Sequence, residues 1–182
     1  MFAGHHTSSG TAAWTLIELL RNPVWLARVR EEIDALFAGD AAVTFQSLRE
    51  VPVLESVIKE TLRLHPPLVI LMRGVLEDFH VVGHTVPAGK LVAISPAVSH
   101  QIPELFADPE RFDIRRSPNP HLAFGFGEHF CLGAALARLE ARVFFEELLA
   151  AFPHIELAGE PRHQRSNLNN ALKSLPVRLY SA

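Results

Sequence analysis

The sequence has one cysteine, no long apolar run and little net charge. The lone Cys131 excludes an internal disulfide framework and any zinc site that needs two thiolates. No apolar segment reaches the roughly 18 residues that span a bilayer, so we expect no transmembrane segment. The formal net charge of −3 and the pI near 6.4 argue against a protein that coats nucleic acid or an anionic membrane.

The ends and the length of the chain give further expectations. The N-terminus lacks the basic and apolar regions of a secretory signal, and the single cysteine fits a reducing cytoplasm. A chain of 182 residues, 48% of them hydrophobic, suffices for one core, so we expect a single domain over residues 1–182. Its first helix has no capping residue at Met1 or Phe2, as if it began inside a longer helix, so we expect a truncated domain. The alternative is an ordinary, frayed N-terminus.

Residues typical of helix starts and ends predict the next helices. Asn22 and Pro23 are typical of a helix start, and this second helix is expected to reach about Phe37. Thr44 is predicted to cap a short helical turn. A third helix is predicted over about 53–64, with Pro66 and Pro67 ending it. Its apolar face is expected to comprise residues at helical spacing, Leu54, Val57, Ile58 and Leu62.

The rest of the chain mixes strands and one long helix. β-branched clusters alternate with turn residues over 68–95, which predicts short strands of a small sheet. A long helix is predicted from just after Cys131 to about Phe152, with one buried stripe formed by Leu132, Leu136, Leu139 and Val143. Two further strands are predicted near Ile155 and over 175–179. The expected fold class is mainly α with small β-sheets (α+β).

The strongest chemical signal lies in the segment FGFGEHFCLG, residues 124–133. Cys131 is predicted in the first turn of a helix, whose partial positive charge stabilises a thiolate. Gly127 and Gly133 leave room for a flat, bulky group beside the backbone. A single thiolate ligand favours haem iron, because the other ligands then come from the porphyrin. The alternative is a buried free cysteine on a helix.

This loop resembles the haem-binding signature of the cytochrome P450 superfamily, Phe-x-x-Gly-x-x-x-Cys-x-Gly. Three more segments are similar to that family's motifs and follow in its order: Ala3–Thr7, Glu60–Arg63 and Pro109–Phe112. The resemblance covers residues 2–179 and matches only the C-terminal, haem-binding half of such a protein. It implies haem b (iron protoporphyrin IX) as the cofactor.

The resemblance also implies residue roles around the haem. Cys131 would be the axial iron ligand, while Arg73 and His129 would bind the propionates. Phe124, Gly127 and Gly133 would shape the haem loop. Glu60, Arg63 and Arg111 would form a buried network that fixes this loop, with forked hydrogen bonds from two arginines to one carboxylate. Without the resemblance, Glu60 and Arg63 could equally be a surface ion pair.

The resemblance implies that residues at the start of the chain form the oxygen-binding side of the haem site. Thr7 and His6 would be catalytic, with Thr7 binding dioxygen and His6 relaying protons near neutral pH. The alternative is that His5 and His6 are ordinary helix histidines. The substrate pocket would be lined by Ala3, Leu68, Val69, Ile70 and Leu71.

The implied function is a haem-dependent monooxygenase. The pair His6 and Thr7 and the segment 64–73 resemble the sterol 14α-demethylases, which implies oxidative demethylation of a sterol with O2 and electrons from a ferredoxin or flavodoxin. Arg138 and Arg142 are expected to form a weak docking patch for that donor. Residues 119–123 look more like soluble bacterial monooxygenases that hydroxylate another apolar substrate. A third alternative is an inactive fragment that does not hold haem alone.

Overall fold

The computed structural model describes residues 2–38 and 51–181. Its helices are α1 (Phe2–Arg21), α2 (Pro23–Phe37), α3 (Pro52–Leu64), α4 (Pro96–Ser99) and α5 (Ala134–Ala151). Its strands are β1 (Leu71–Gly74), β2 (Phe79–Val81), β3 (His84–Val86), β4 (Leu91–Ile94), β5 (His154–Leu157), β6 (Arg162–His163), β7 (Leu172–Ser174) and β8 (Val177–Tyr180). The mainly α fold with small sheets is confirmed. The cap predicted at Thr44 lies outside the described residues.

Proline sets where two of the helices begin. Pro23 and Pro52 occupy the first helical positions of α2 and α3, where a missing N–H group leaves no bond unmade. Asn22 does precede α2, but it makes no side-chain cap. Its amide instead donates to the carbonyl of Glu18 at 2.8 Å, back in α1.

The core lies among α1, α2, α3 and α5. The face predicted for α3 is confirmed, since its apolar residues at helical spacing are all buried. They pack with residues of the other three helices and of β5 into one cluster, which includes Leu16, Leu19, Val29, Ile33, Leu54, Val57, Ile58, Leu62, Phe145, Leu149 and Ile155.

The buried stripe predicted for α5 is wrong. Phe145 and Leu149 are buried, whereas Leu132 is fully exposed, and Leu136 and Val143 are 58% and 39% exposed. α5 has apolar residues on two opposite faces, and the face that carries Phe145 turns towards the core. The opposite face is left as exposed apolar surface.

The strands form four two-stranded antiparallel sheets among the described residues, β1 with β4, β2 with β3, β5 with β8, and β6 with β7. The single small sheet predicted over 68–95 is therefore two sheets, because the chain segment that connects β1 to β4 forms the separate β2–β3 hairpin. The two strands predicted near the C-terminus pair with each other, with Ile155 opposite Leu179.

α1 contacts α5 through Ser8 and the segment around Asn170 through Trp14. The hydroxyl of Ser8 donates to the Glu140 carboxylate of α5 at 3.2 Å. The Trp14 indole donates to the carbonyl of Asn170 at 3.0 Å, and the adjacent Asn169 forms a β-bridge with Leu68. Within residues 2–38 and 51–181, no helix is both long and apolar enough to cross a bilayer.

Candidate functional site

Cys131 closes a tight loop that leaves its thiol free. The Cys131 N–H group donates to the carbonyl of Phe124 at 2.7 Å, which joins the two ends of the loop. Inside the loop, Gly125 donates to Leu122 at 2.9 Å and Phe130 donates to Gly127 at 3.0 Å. Cys131 forms no disulfide and is exposed. The backbone is therefore fixed by its own hydrogen bonds while the sulfur faces outward.

Cys131 does not lie in the first turn of a helix. α5 begins at Ala134 with Gly133 as its N-cap residue, and the carbonyl of Cys131 accepts the Ala134 N–H at 3.2 Å. The prediction was wrong because Leu132 and Gly133 continue the loop. The thiol still precedes the positive end of an 18-residue helix.

The glycines of the loop differ in what they do. Gly125 has a φ of +76°, and a Cβ there would lie 2.7 Å from the carbonyl oxygen of His129, so no side chain fits. Gly127 also has a positive φ, +61°, but a Cβ there would enter open space. At Gly133 a Cβ would lie 3.9 Å from the Cys131 sulfur, an ordinary contact. Sequence reasoning missed Gly125, although its place beside Phe124 was a signal.

Glu60 and Arg63 form a forked ion pair inside the protein. The two N–O distances are 2.9 Å from Nε and 2.8 Å from Nη2, and neither side chain is exposed. Arg63 also donates to the carbonyls of His100, Pro109 and Arg111 at 2.8–3.1 Å. The surface-pair alternative is thus wrong.

The predicted role of Arg111 needs correction. Arg111 contributes only its carbonyl, and the residue is exposed. The second guanidinium on Glu60 belongs to Arg116, whose Nε lies 3.4 Å from Oε1. Asn119, also missed, donates to Glu60 Oε2 at 2.8 Å. The chain turns at Asp108, which has a φ of +47°, and its path brings the mostly buried Arg116 side chain back to Glu60.

Two histidines, the buried His100 and the half-buried His121, lie next to this network. The imidazole of His100 bonds at 2.7 Å to the carbonyl of Arg63 and at 2.7 Å to the N–H of Leu122. Burial lowers the pKa of His100 from its usual value. Burial, reinforced by His100, Arg138, Lys59 and Arg63, also lowers the pKa of His121 to about 4. Sequence reasoning missed both residues.

The residues predicted to bind propionates lie apart from these networks. Arg73 is half-buried in β1, and its Nη1 donates to the neighbouring Met72 carbonyl at 2.8 Å. His129 is exposed at the end of a 3₁₀ turn, Gly127–His129. Among residues 2–38 and 51–181, neither forms a hydrogen bond or ion pair with another predicted site residue.

The residues predicted to line the oxygen and substrate side of the haem lie in α1 and in the segment that leads into β1. Thr7 is half-buried, and its hydroxyl donates to the carbonyl of Ala3 at 2.9 Å. His6 is exposed, with its ring edge-on to His5 at 5.0 Å. The backbone of Val69 bonds to Leu168 and to the Ser95 hydroxyl. The catalytic and pocket roles of Thr7, His6, Ala3 and residues 68–71 stay predictions.

These features fit a flat iron macrocycle with one protein ligand. The described residues contain no cluster of three metal-ligating side chains, so Cys131 would be a single donor. Exposed apolar side chains, Phe126, Phe130 and Leu132, flank it. Open space at Gly127 leaves the backbone approachable. A macrocycle would bury this apolar surface, and Arg73 has no carboxylate partner in the described part of the chain to compete for its charge.

A family model for cytochrome P450 matches residues 1–179. The match spans the Cys131 loop, the Glu60–Arg63 pair and the start of α1 together. The chain belongs to the cytochrome P450 family, whose members bind haem b.

Its relatives are longer proteins. A sterol 14α-demethylase of Mycolicibacterium vanbaalenii is 45% identical over 177 residues, which cover 92% of this chain and 39% of that protein. Cytochrome P450-terp of a Pseudomonas species is 36% identical, over 99% of this chain and 38% of that protein. The solved structure of the tirandamycin C-bound P450 monooxygenase TamI matches with a TM-score of 0.81 at 37% identity, over 98% of this chain and 41% of that one. The chain thus spans about two fifths of their length.

Proposed function

We propose that this chain forms the haem-thiolate part of a monooxygenase that oxidises an apolar substrate. The observation that carries the proposal is the exposed, unpaired thiol of Cys131, held on a loop whose ends are bonded to each other. The buried ion pair of Glu60 and Arg63 supports it, because the same network reaches the segment that leads into this loop.

Each proposed site residue has one task. The Cys131 sulfur, as thiolate, binds the iron, and Arg73 and His129 bind the propionates. Bound haem with a thiolate ligand supplies oxygen activation and O–O cleavage. The Thr7 hydroxyl and the His6 imidazole hold and pass protons on α1. Ala3 and residues 68–71 orient an apolar substrate and exclude water.

Sterol 14α-demethylation is the favoured reaction. In it, one methyl group is oxidised in three rounds and leaves as formate. The identity of 45% with a sterol 14α-demethylase supports it, as do the neighbouring His6 and Thr7 and the apolar segment before Arg73. Electrons would come from a small ferredoxin or flavodoxin in the cytoplasm.

Another apolar substrate is the second candidate. The similarity to Cytochrome P450-terp extends over 99% of the chain, more than the 92% aligned with the demethylase. TamI, solved with tirandamycin C, is 37% identical. These relatives favour a monooxygenase of the same site and a different pocket.

A haem titration followed by a substrate screen separates these readings. The chain is titrated with haem and its Soret band is recorded with lanosterol-like sterols, terpenoids, fatty acids and polyketides. A Soret shift with sterols alone supports demethylation, and a shift only with another class supports the second candidate. If the chain takes up no haem, the third reading holds, that of an inactive fragment unable to bind haem alone.

The expected docking patch for the electron donor is already engaged within the chain. Arg142 pairs with Glu55 at 2.8 Å, and the Arg138 guanidinium lies 4.8 Å from the centre of the Phe124 ring. We therefore propose that Arg138 packs against the Cys131 loop at Phe124, that Arg142 connects α5 to α3, and that any part of either arginine in docking is secondary.

A further inference from the structure

His100 connects the end of α3 to the start of the Cys131 loop. Its Nδ1 lies 2.7 Å from the carbonyl oxygen of Arg63, and its Nε2 lies 2.7 Å from the backbone nitrogen of Leu122. The ring is almost fully buried, at 1% exposure. The connection is reciprocal, since Arg63 Nη1 donates to the carbonyl of His100 at 3.1 Å.

These two partners fix the protonation of the ring. A carbonyl oxygen only accepts, so Nδ1 must carry a proton. The Leu122 N–H only donates, so Nε2 must have a free lone pair. Both bonds therefore exist together only in the neutral Nδ1–H tautomer. An added proton on Nε2 would face the Leu122 N–H and break that bond.

Backbone hydrogen bonds connect Leu122, the partner of His100, to Cys131. The carbonyl of Leu122 accepts the N–H of Gly125, and the next residue back, Phe124, accepts the N–H of Cys131. Leu122, which His100 holds in place, therefore begins the turn that leads through Phe124 and Gly125 to Cys131. No other side chain in the described residues bonds to the Leu122 N–H.

We propose that His100 is a positioning residue for the thiolate loop, which it holds against α3 as a neutral Nδ1–H imidazole. This inference rests on the proposed haem-thiolate function, and it assigns to that site a control by acid. Protonation of His100 would release Leu122 and loosen the geometry at Cys131 without touching the sulfur.

The surroundings of the ring set where this proton binds. Arg63 and Glu60 face it from α3, and His121 faces it from the loop, with the ring centres 6.3 Å apart. Phe106 packs edge-on at 5.7 Å. Burial is the main cause that lowers the pKa of His100, so the connection survives at neutral pH and is lost in acid.

Two substitutions separate the two bonds. In His100→Asn the side-chain amide can replace Nδ1 as donor to Arg63, but it is too short to reach Leu122. In His100→Gln the amide oxygen can replace Nε2 as acceptor for Leu122, while the donor to Arg63 is lost. Both variants leave one buried bond unmade, so a purely structural role would affect them alike.

The test uses the full chain, with and without haem. Without haem, amide exchange at Leu122 should be about tenfold faster in His100→Asn than in the parent and near the parent rate in His100→Gln. With haem, the ferrous carbon monoxide spectrum should keep its thiolate form in His100→Gln and lose part of it in His100→Asn. NMR of the parent ring should show the proton on Nδ1, and Leu122 protection should fall as the ring titrates.

The opposite results are equally clear. Equal exchange and equal spectra in the two variants, or an Nε2–H tautomer, would overturn the positioning role. If the parent chain takes up no haem, the proposed function fails, while the exchange and tautomer measurements still decide whether His100 holds the loop.

Discussion

Arg63 and Glu60 form a bidentate ion pair, with distances of 2.9 Å from Nε and 2.8 Å from Nη2 to the two carboxylate oxygens. Both side chains are fully buried. The guanidinium also satisfies three carbonyls from the segment that follows α4, so one arginine connects α3 to the chain leading into the cysteine loop. A buried charge that loses its partner is strongly destabilising, which makes this pair the first target for mutation.

Removing Glu60 should lower the free energy of unfolding far more than removing a partly exposed carboxylate. Glu60→Ala leaves Arg63 charged and buried, and we expect the free energy of unfolding to fall by about 3–5 kcal/mol. Asp113→Ala, which breaks the pair between a partly exposed carboxylate and the exposed Arg115, should cost no more than about 1 kcal/mol. Urea unfolding measures both. Similar small losses in the two variants would contradict the buried pair.

Arg116 and Arg111 should behave differently. Arg116→Ala removes a nearly buried guanidinium from Glu60 and should lower the free energy of unfolding by about 1–3 kcal/mol. Arg111→Ala keeps the main-chain carbonyl that Arg63 uses, so its effect should stay within about 0.5 kcal/mol. Urea unfolding of the two variants side by side decides the matter, and a larger loss for Arg111→Ala would restore the role predicted from the sequence.

Gly125 and Gly127 form a matched pair for testing the loop. Both have positive φ, so an alanine at either position costs roughly 1 kcal/mol of backbone strain. Only at Gly125 does the new methyl group also meet the His129 carbonyl, at 2.7 Å. Gly125→Ala should therefore lower the melting temperature clearly more than Gly127→Ala, as measured by circular dichroism. Equal shifts would show that the loop tolerates a side chain at both positions.

His121 should make the protein sensitive to acid. Its pKa is lowered to about 4 in the folded chain, from 6.5, so protonation favours the unfolded chain. Its contribution to stability is complete above about pH 6.5 and falls as the pH drops towards 4, by about 3 kcal/mol at most. Between pH 7 and pH 4, the free energy of unfolding measured in urea should fall more steeply for the parent than for His121→Gln. Parallel curves would mean that His121 is not shifted.

Local signals in the sequence were enough for the helices but not for the network. Pro23 and the paired prolines after α3 mark helix ends because proline acts on its own neighbours. The buried face of α3 followed from spacing alone. For α5 the spacing was ambiguous, since Leu136 and Phe145 lie on two apolar faces and only tertiary packing decides between them.

The partners of Glu60 depend on distant chain geometry. Arg111 and Arg116 lie close together in the sequence, and no local pattern distinguishes Arg116, the one that reaches the carboxylate, from Arg111. His100 carries no local signal at all, because its two partners lie 37 and 22 residues away in the chain. The single cysteine and its glycines, by contrast, pointed to the loop from the sequence alone.

The ferrous carbon monoxide spectrum of the haem-loaded chain tests the central claim most directly, with Cys131→Ser as the control. We predict the red-shifted Soret band of thiolate-ligated haem in the parent chain and its complete loss in Cys131→Ser. The same spectrum in both proteins would contradict ligation by Cys131.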